Sequence, residues 1–145
     1  MTAKKPAKKP AKSAKPVMYQ LVVQFAGDYF PTHDAMVAFE DQLIARLPRT
    51  CEVDGHDAGA GTFNFFLYTT HPVAAYQKVY RFTTRAMQRR MRIAYRAVAG
   101  KTFTNLWPRR DPRPFAYLYR KGEDPFSPVS KRKIPKRSPR GTRAA

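Results

Sequence analysis

YQLVVQF, residues 19–25, decides how the rest of the chain is read. Tyr19, Leu21, Val23 and Phe25 alternate with Gln20, Val22 and Gln24, and this period of two predicts a half-buried β-strand. Gly27, Asp28 and Pro31 form a turn, after which Thr32 is placed to cap a helix carrying Asp34 in its first turn, where the helix dipole favours an anion. Met36, Phe39, Leu43 and Leu47 recur every three or four residues and Pro48 closes the helix, so one apolar stripe faces a core.

Further along, Cys51 to Asp57 reads as a short strand and Thr62 to Thr69, rich in Phe and Tyr, as another. A glycine-containing connection, residues 58–61, makes the pair an antiparallel hairpin. A second helix is predicted from Pro72 to about Arg90, with Val73, Tyr76, Val79 or Tyr80, Thr83 and Met87 on one side. Arg92 to Trp107 alternates again around Ala99, Gly100 and Lys101, which gives one more strand or a hairpin. Prolines 112, 114, 125 and 128 argue against regular structure beyond Pro108, apart from a short edge strand through Phe115, Tyr117 and Tyr119. The order strand, helix, strand, strand, helix, strand predicts an α+β, ferredoxin-like two-layer sandwich, with both helices on one face of an antiparallel sheet and the other face exposed.

Charge is distributed unevenly around this middle. Residues 1–16 hold six lysines and residues 127–145 hold seven Lys/Arg, with no acid in either, so 13 of the 28 positive charges lie in two tails. Between them, 15 Lys/Arg face all 10 acids. The expected organisation is a disordered Lys/Ala/Pro tail over 1–16, an α+β domain over 17–108, a Pro-rich extension over 109–126 and a disordered basic tail over 127–145. Like charges keep such tails unfolded and draw them to polyanions, because each neutralised phosphate releases condensed counterions.

The candidate nucleic-acid contacts are therefore Lys4, Lys5, Lys8, Lys9, Lys12 and Lys15 in the first tail and Lys131, Arg132, Lys133, Lys136 and Arg137 in the second. In the middle, Lys78, Arg81, Arg85 and Arg89 fall at intervals of three, four and four, with Arg92 near the end. They therefore lie along one face of the second helix; like charges at that spacing cost about a few tenths of a kcal/mol each, so the row asks for a phosphate surface or a purely solvating role. Phe63, Phe65 and Tyr68 occupy the aromatic positions of a motif that partly resembles that of RNA-recognition motifs, which makes Phe63 and Phe65 candidates for base stacking. Gly61, Thr62 and Asn64 depart from the motif, and aromatic alternation in a strand is more often core.

Other chemistry finds little support. Cys51 is the single cysteine, so an internal disulfide and a CxxC zinc site are excluded. Asp54 and His56 share one face of an ideal strand and Asp57 takes the other, giving at most two converging metal ligands. Cys51 with His56 lacks an identifiable third, orienting group. Gly59-x-Gly61 sits between strands instead of opening a helix, so it is a turn and not a dinucleotide fingerprint. No catalytic residue, metal or cofactor is assigned. Lysines before the apolar stretch Val17 to Phe25 suggest a signal peptide, but Gln20, Gln24 and Asp28 interrupt the pattern. The expected location is cytoplasmic, at the nucleoid of a bacterium or in a eukaryotic nucleus, where KRKIPKRSPR would serve as an import signal.

Taken together, VVQF (22–25), EVDGHDAGAGTFNF (52–65) and LWP (106–108) resemble blocks of small uncharacterised bacterial proteins that lack the basic tails. The resemblance implies a compact shared domain and carries no activity. The N-terminal tail resembles those of linker histones and nucleoid proteins in composition only. The expected function is non-enzymatic, sequence-nonspecific binding of DNA or RNA through the tails and the basic helix face. The alternative is an immunity-like or regulatory module that docks an acidic protein; a small enzyme using Asp54, His56 and Asp57 is the third possibility.

Overall fold

β1 (Tyr19–Ala26) is the central strand of a five-stranded antiparallel sheet in the computed structural model, which describes residues 16–59, 61–116 and 126. The order across the sheet is β2-β3-β1-β4-β5, with β2 (Cys51–Gly59), β3 (Thr62–Thr69), β4 (Met91–Ala97) and β5 (Thr104–Trp107). β1 pairs with β3 from Tyr19↔Thr69 to Ala26↔Thr62, and with β4 from Tyr19↔Ala97 to Phe25↔Met91. The fold is thus α+β, and the β4–β5 hairpin supplies a fifth strand beyond the four of the expected order. The tail lysines and arginines, the tails' expected disorder, and Tyr117 and Tyr119 of the expected edge strand lie outside the described residues.

α1 (His33–Arg46) follows its sequence signals closely. Thr32 accepts a hydrogen bond from the Ala35 N–H at 3.1 Å, satisfying one of the donors a helix N-terminus leaves open. Met36, Phe39 and Leu43 are buried against Leu21, Val23, Phe25, Phe65, Leu67, Met91 and Ile93 of the sheet and against Ala75 and Val79 of α2 (Pro72–Phe82). Both helices therefore cover one face. Burial of each such large side chain contributes about 1.5–3 kcal/mol, so this layer is the main source of stability. At the end of β1 the Gly27 N–H donates to the Gly61 carbonyl at 2.7 Å. A Cβ on Gly27 would lie 2.8 Å from the Gly61 carbonyl carbon, so this approach requires glycine.

The opposite face is not exposed as expected. Gln24 and Asn64 are 0% accessible and Arg92 1%, because residues 111–116 cross the sheet and close it. Gln24 Nε2 donates to Asn64 Oδ1 at 2.9 Å and to the Ala116 carbonyl at 2.8 Å. Asn105 Nδ2 donates to the Asp111 and Arg113 carbonyls. Phe115 packs with Val22 and Ala94, and Arg92 lies over its ring at 5.4 Å. β1 is consequently buried on both faces instead of one. Its glutamines are tolerated inside because they find hydrogen-bond partners: Gln24 in Asn64 and the crossing segment, Gln20 in the Tyr68 hydroxyl and the Arg96 guanidinium.

Candidate nucleic-acid interface

The continuous helix predicted from Pro72 to Arg90 divides at Thr83 and Thr84. α2 ends at Phe82, Thr83 takes an extended ψ of 152°, and α3 (Arg85–Arg89) begins after Thr84. Thr83 Oγ1 donates to the Tyr80 carbonyl at 2.9 Å, and Gln88 Nε2 donates to the same carbonyl and to that of Thr83. Thr84 Oγ1 accepts from the Met87 N–H at 3.1 Å. These side-chain bonds satisfy backbone groups that the interruption would leave open.

The break redistributes the expected basic row. Lys78 is exposed on α2 beside Thr50, Cys51, His71 and Ala74 and lines neither of the grooves that the arginines line. Arg81 instead lines a groove of about 460 Å³ with Tyr76, Gln77, Tyr80, Trp107 and Arg109. Arg85 and Arg89 line an adjoining groove of about 390 Å³ with Tyr80, Gln88, Trp107 and Pro108. Arg92 does not belong to this surface: its guanidinium donates to the Arg113 carbonyl at 3.1 Å and pairs with Asp111 under the crossing segment. Its place on β4, opposite Gln24, directs it to the far face of the sheet.

Tyr80 and Trp107 form the wall shared by the two grooves. Their ring centroids are 4.8 Å apart with planes at 58°, and the Trp107 Nε1–H donates to the Gln88 carbonyl at 2.8 Å. Tyr76, one helical turn before Tyr80, has its ring centroid 6.2 Å from that of Tyr80. Burial pushes the Tyr76 phenol above its usual range; the Arg109 guanidinium pulls it back down in part, and Tyr80 adds to the rise. Among the described residues, neither groove is lined by Asp or Glu. Six of the eight described acids lie elsewhere, Asp34, Glu40 and Asp41 on α1 and Glu52, Asp54 and Asp57 on β2, the strand at the edge of the sheet farthest from β5; Asp28 pairs with Arg90 at the end of α3 and Asp111 with Arg92 and Arg113. Positive charge is thereby concentrated around the aromatic wall.

Phe63 and Phe65 are placed differently from the stacking expectation. Phe65 is fully buried on the helix side, its ring 5.1 Å from Phe39 and 5.9 Å from Phe30. Phe63 is half-buried with its ring edge-on to Phe30 at 5.5 Å. Both rings are used in packing, so the Phe65 ring has no face open to a base. The sequence pattern places Tyr76 and Tyr80 on the apolar side of the second helix and assigns no binding role to them, to Trp107 or to Arg109. The local signals were Tyr76 and Tyr80 at i, i+4 and a single Trp within LWPRR.

The acid and histidine segment is also rearranged. A bulge between Val53 and Gly55 shifts the register, so His56 lies opposite Phe65 and Asp57 opposite Asn64. His56 Nδ1 is 3.1 Å from the Glu40 carboxylate, and the His33 ring centroid is 6.5 Å from that of His56. On the other face Asp57 accepts from Asn64 Nδ2 at 3.1 Å. Among the described residues, no group of three or more His, Cys, Asp or Glu is arranged to hold a metal ion. Cys51 is buried, and that burial pushes its thiol up to about 11. No described helix is long and apolar enough to cross a membrane. Comparison with protein-family models, curated proteins and solved structures finds no match.

Proposed function

We propose that this chain is a non-enzymatic nucleic-acid-binding protein with little selectivity for base sequence, in which the basic tails supply most of the affinity and the α2–α3–β5 surface supplies a local footprint. The observation that carries the reading is the convergence of Arg81, Arg85, Arg89 and Arg109 on two acid-free grooves. The 13 tail charges without a single acid act in the same direction. Guanidiniums and ammoniums bind phosphates through charge-assisted hydrogen bonds, and phosphates carry no sequence information. We read β1 to β4 with α1 and α2 as a ferredoxin-like core to which β5 is appended; the position of β1 between β3 and β4 supports this.

The same side chains suit a second reading, a module docking an acidic protein. Trp, Tyr and Arg are the residue types that dominate protein interfaces, and the grooves present all three. The two readings separate on the salt dependence of duplex DNA binding by the full chain. If half of the 13 tail charges engage phosphates, the tails alone give a log–log slope of about −5 to −6. A slope near zero, or no binding at low salt, rejects the nucleic-acid reading.

A further inference from the structure

We infer that the Tyr76–Tyr80–Trp107 wall is a stacking site for unpaired nucleobases, so that the folded domain distinguishes single-stranded from duplex nucleic acid. This rests on the nucleic-acid reading above and adds to it a ligand form. Three observations combine. The two grooves, about 460 and 390 Å³, are of the size that accommodates compact organic groups, about 300–1,000 Å³. Each is bounded by half-buried aromatic rings, and Trp107 is common to both. Each also carries guanidiniums at its rim, Arg81 and Arg109 on one side and Arg85 and Arg89 on the other.

The pairing of ring and guanidinium matches the chemistry of a single strand. A nucleobase offers an apolar π-face and its flanking phosphates offer charge, and both are available together only when the base is out of a helical stack. In a duplex the faces are covered by neighbouring bases, which leaves only the phosphates for the arginines. The wall is also held in place before any ligand arrives. The Trp107 indole N–H is tied to the Gln88 carbonyl, and the Gln88 side chain is tied in turn to Tyr80 and Thr83 at the helix break. Little side-chain entropy is therefore lost when a base docks. The interruption at Thr83 and Thr84 thus accounts for the site: it gives α3 a direction of its own and sets Arg85 and Arg89 beside Trp107 and not in line with Lys78.

The test uses the single tryptophan of the chain, whose emission reports on this wall and not on the tails. The full-length protein is titrated with an oligothymidylate of about 12 nucleotides, with a duplex at the same phosphate concentration, and with thymidine monophosphate, while anisotropy of a labelled strand reports total binding. The expected result is saturable quenching of Trp107 by the oligothymidylate, weaker quenching by the mononucleotide and none by the duplex. Tyr76→Ala, checked for native circular dichroism, should weaken single-strand binding by roughly 5-fold or more and duplex binding by a clearly smaller factor; equal losses on the two would count against stacking. Anisotropy that rises without any change in emission, or equal quenching by the duplex, overturns the stacking site and leaves the polyanion reading standing. Absence of binding in both signals overturns the two together.

Discussion

Arg92 Nε and Asp111 Oδ2 face each other at 3.5 Å on the sheet face away from the helices, their side chains 2% and 0% exposed. The same carboxylate accepts from the Arg113 guanidinium at 2.8 and 2.7 Å and from its backbone N–H at 3.0 Å. One carboxylate therefore compensates two guanidiniums, and it fixes the segment that closes the sheet. Removing one partner of a buried pair leaves an uncompensated charge, which costs about 3–5 kcal/mol. Asp111→Ala should lose this much in urea denaturation, whereas Arg92→Met, which removes the buried charge and keeps much of the volume, should lose clearly less. Equal losses would mean that the pair contributes packing and not electrostatics.

The same group sets an acid limit on stability. Burial pushes the Asp111 carboxyl up, but the side-chain and backbone hydrogen bonds from Arg113 and the charge of Arg92 outweigh it and hold the group below its ordinary value of 3.8. A carboxylate depressed in the folded state contributes stability that is present above its unfolded pKa and is lost as pH falls through the folded one. Melting temperature should consequently drop as pH is lowered below about 4, and Asp111→Asn should flatten that part of the profile. An unchanged acid limb in the variant would place the acid sensitivity elsewhere.

Cys51 gives the opposite sign on the alkaline side. Its thiol is raised from 9.0 to about 11 by burial alone, so the neutral form is favoured in the folded protein and the unfolded chain ionises first. The stabilisation is complete below pH 9 and declines between 9 and 11. At pH 8 only about one thiol in a thousand is ionised in the folded state, so alkylation by iodoacetamide should be slow in native buffer and fast in denaturant. Cys51→Ala should remove its share of the decline in stability above pH 9. Rapid native labelling would show that β2 opens at this end.

How far the sequence discloses this arrangement depends on how local the deciding contacts are. Thr32, Asp34 and the spacing of Met36, Phe39 and Leu43 all lie within α1, and the helix forms where they place it. β3 is likewise legible from alternation, but a period of two states which residues share a face and not which face meets the helices. Phe65 was for that reason open to two readings until its contact with Phe39 decided between them. The division of the second helix has no Gly or Pro to announce it; it depends on the Gln88 amide reaching back to Tyr80 and Thr83. The burial of Arg92 depends on Asp111 and Arg113, about twenty residues later and in a proline-rich stretch without periodicity. The aromatic wall joins Tyr76 and Tyr80 of α2 to Trp107 of β5, and no spacing rule connects them.

The most direct test of the account is the salt dependence of nucleic-acid binding by the full chain and by a variant carrying Arg81→Gln, Arg85→Gln, Arg89→Gln and Arg109→Gln, whose tails are intact. If these four arginines contact phosphates, the log–log slope for a single strand should become shallower by about 2 to 3, with weaker binding at every salt concentration. An unchanged slope and affinity would contradict the account, leaving the tails as the whole nucleic-acid device and the grooves without a part in it.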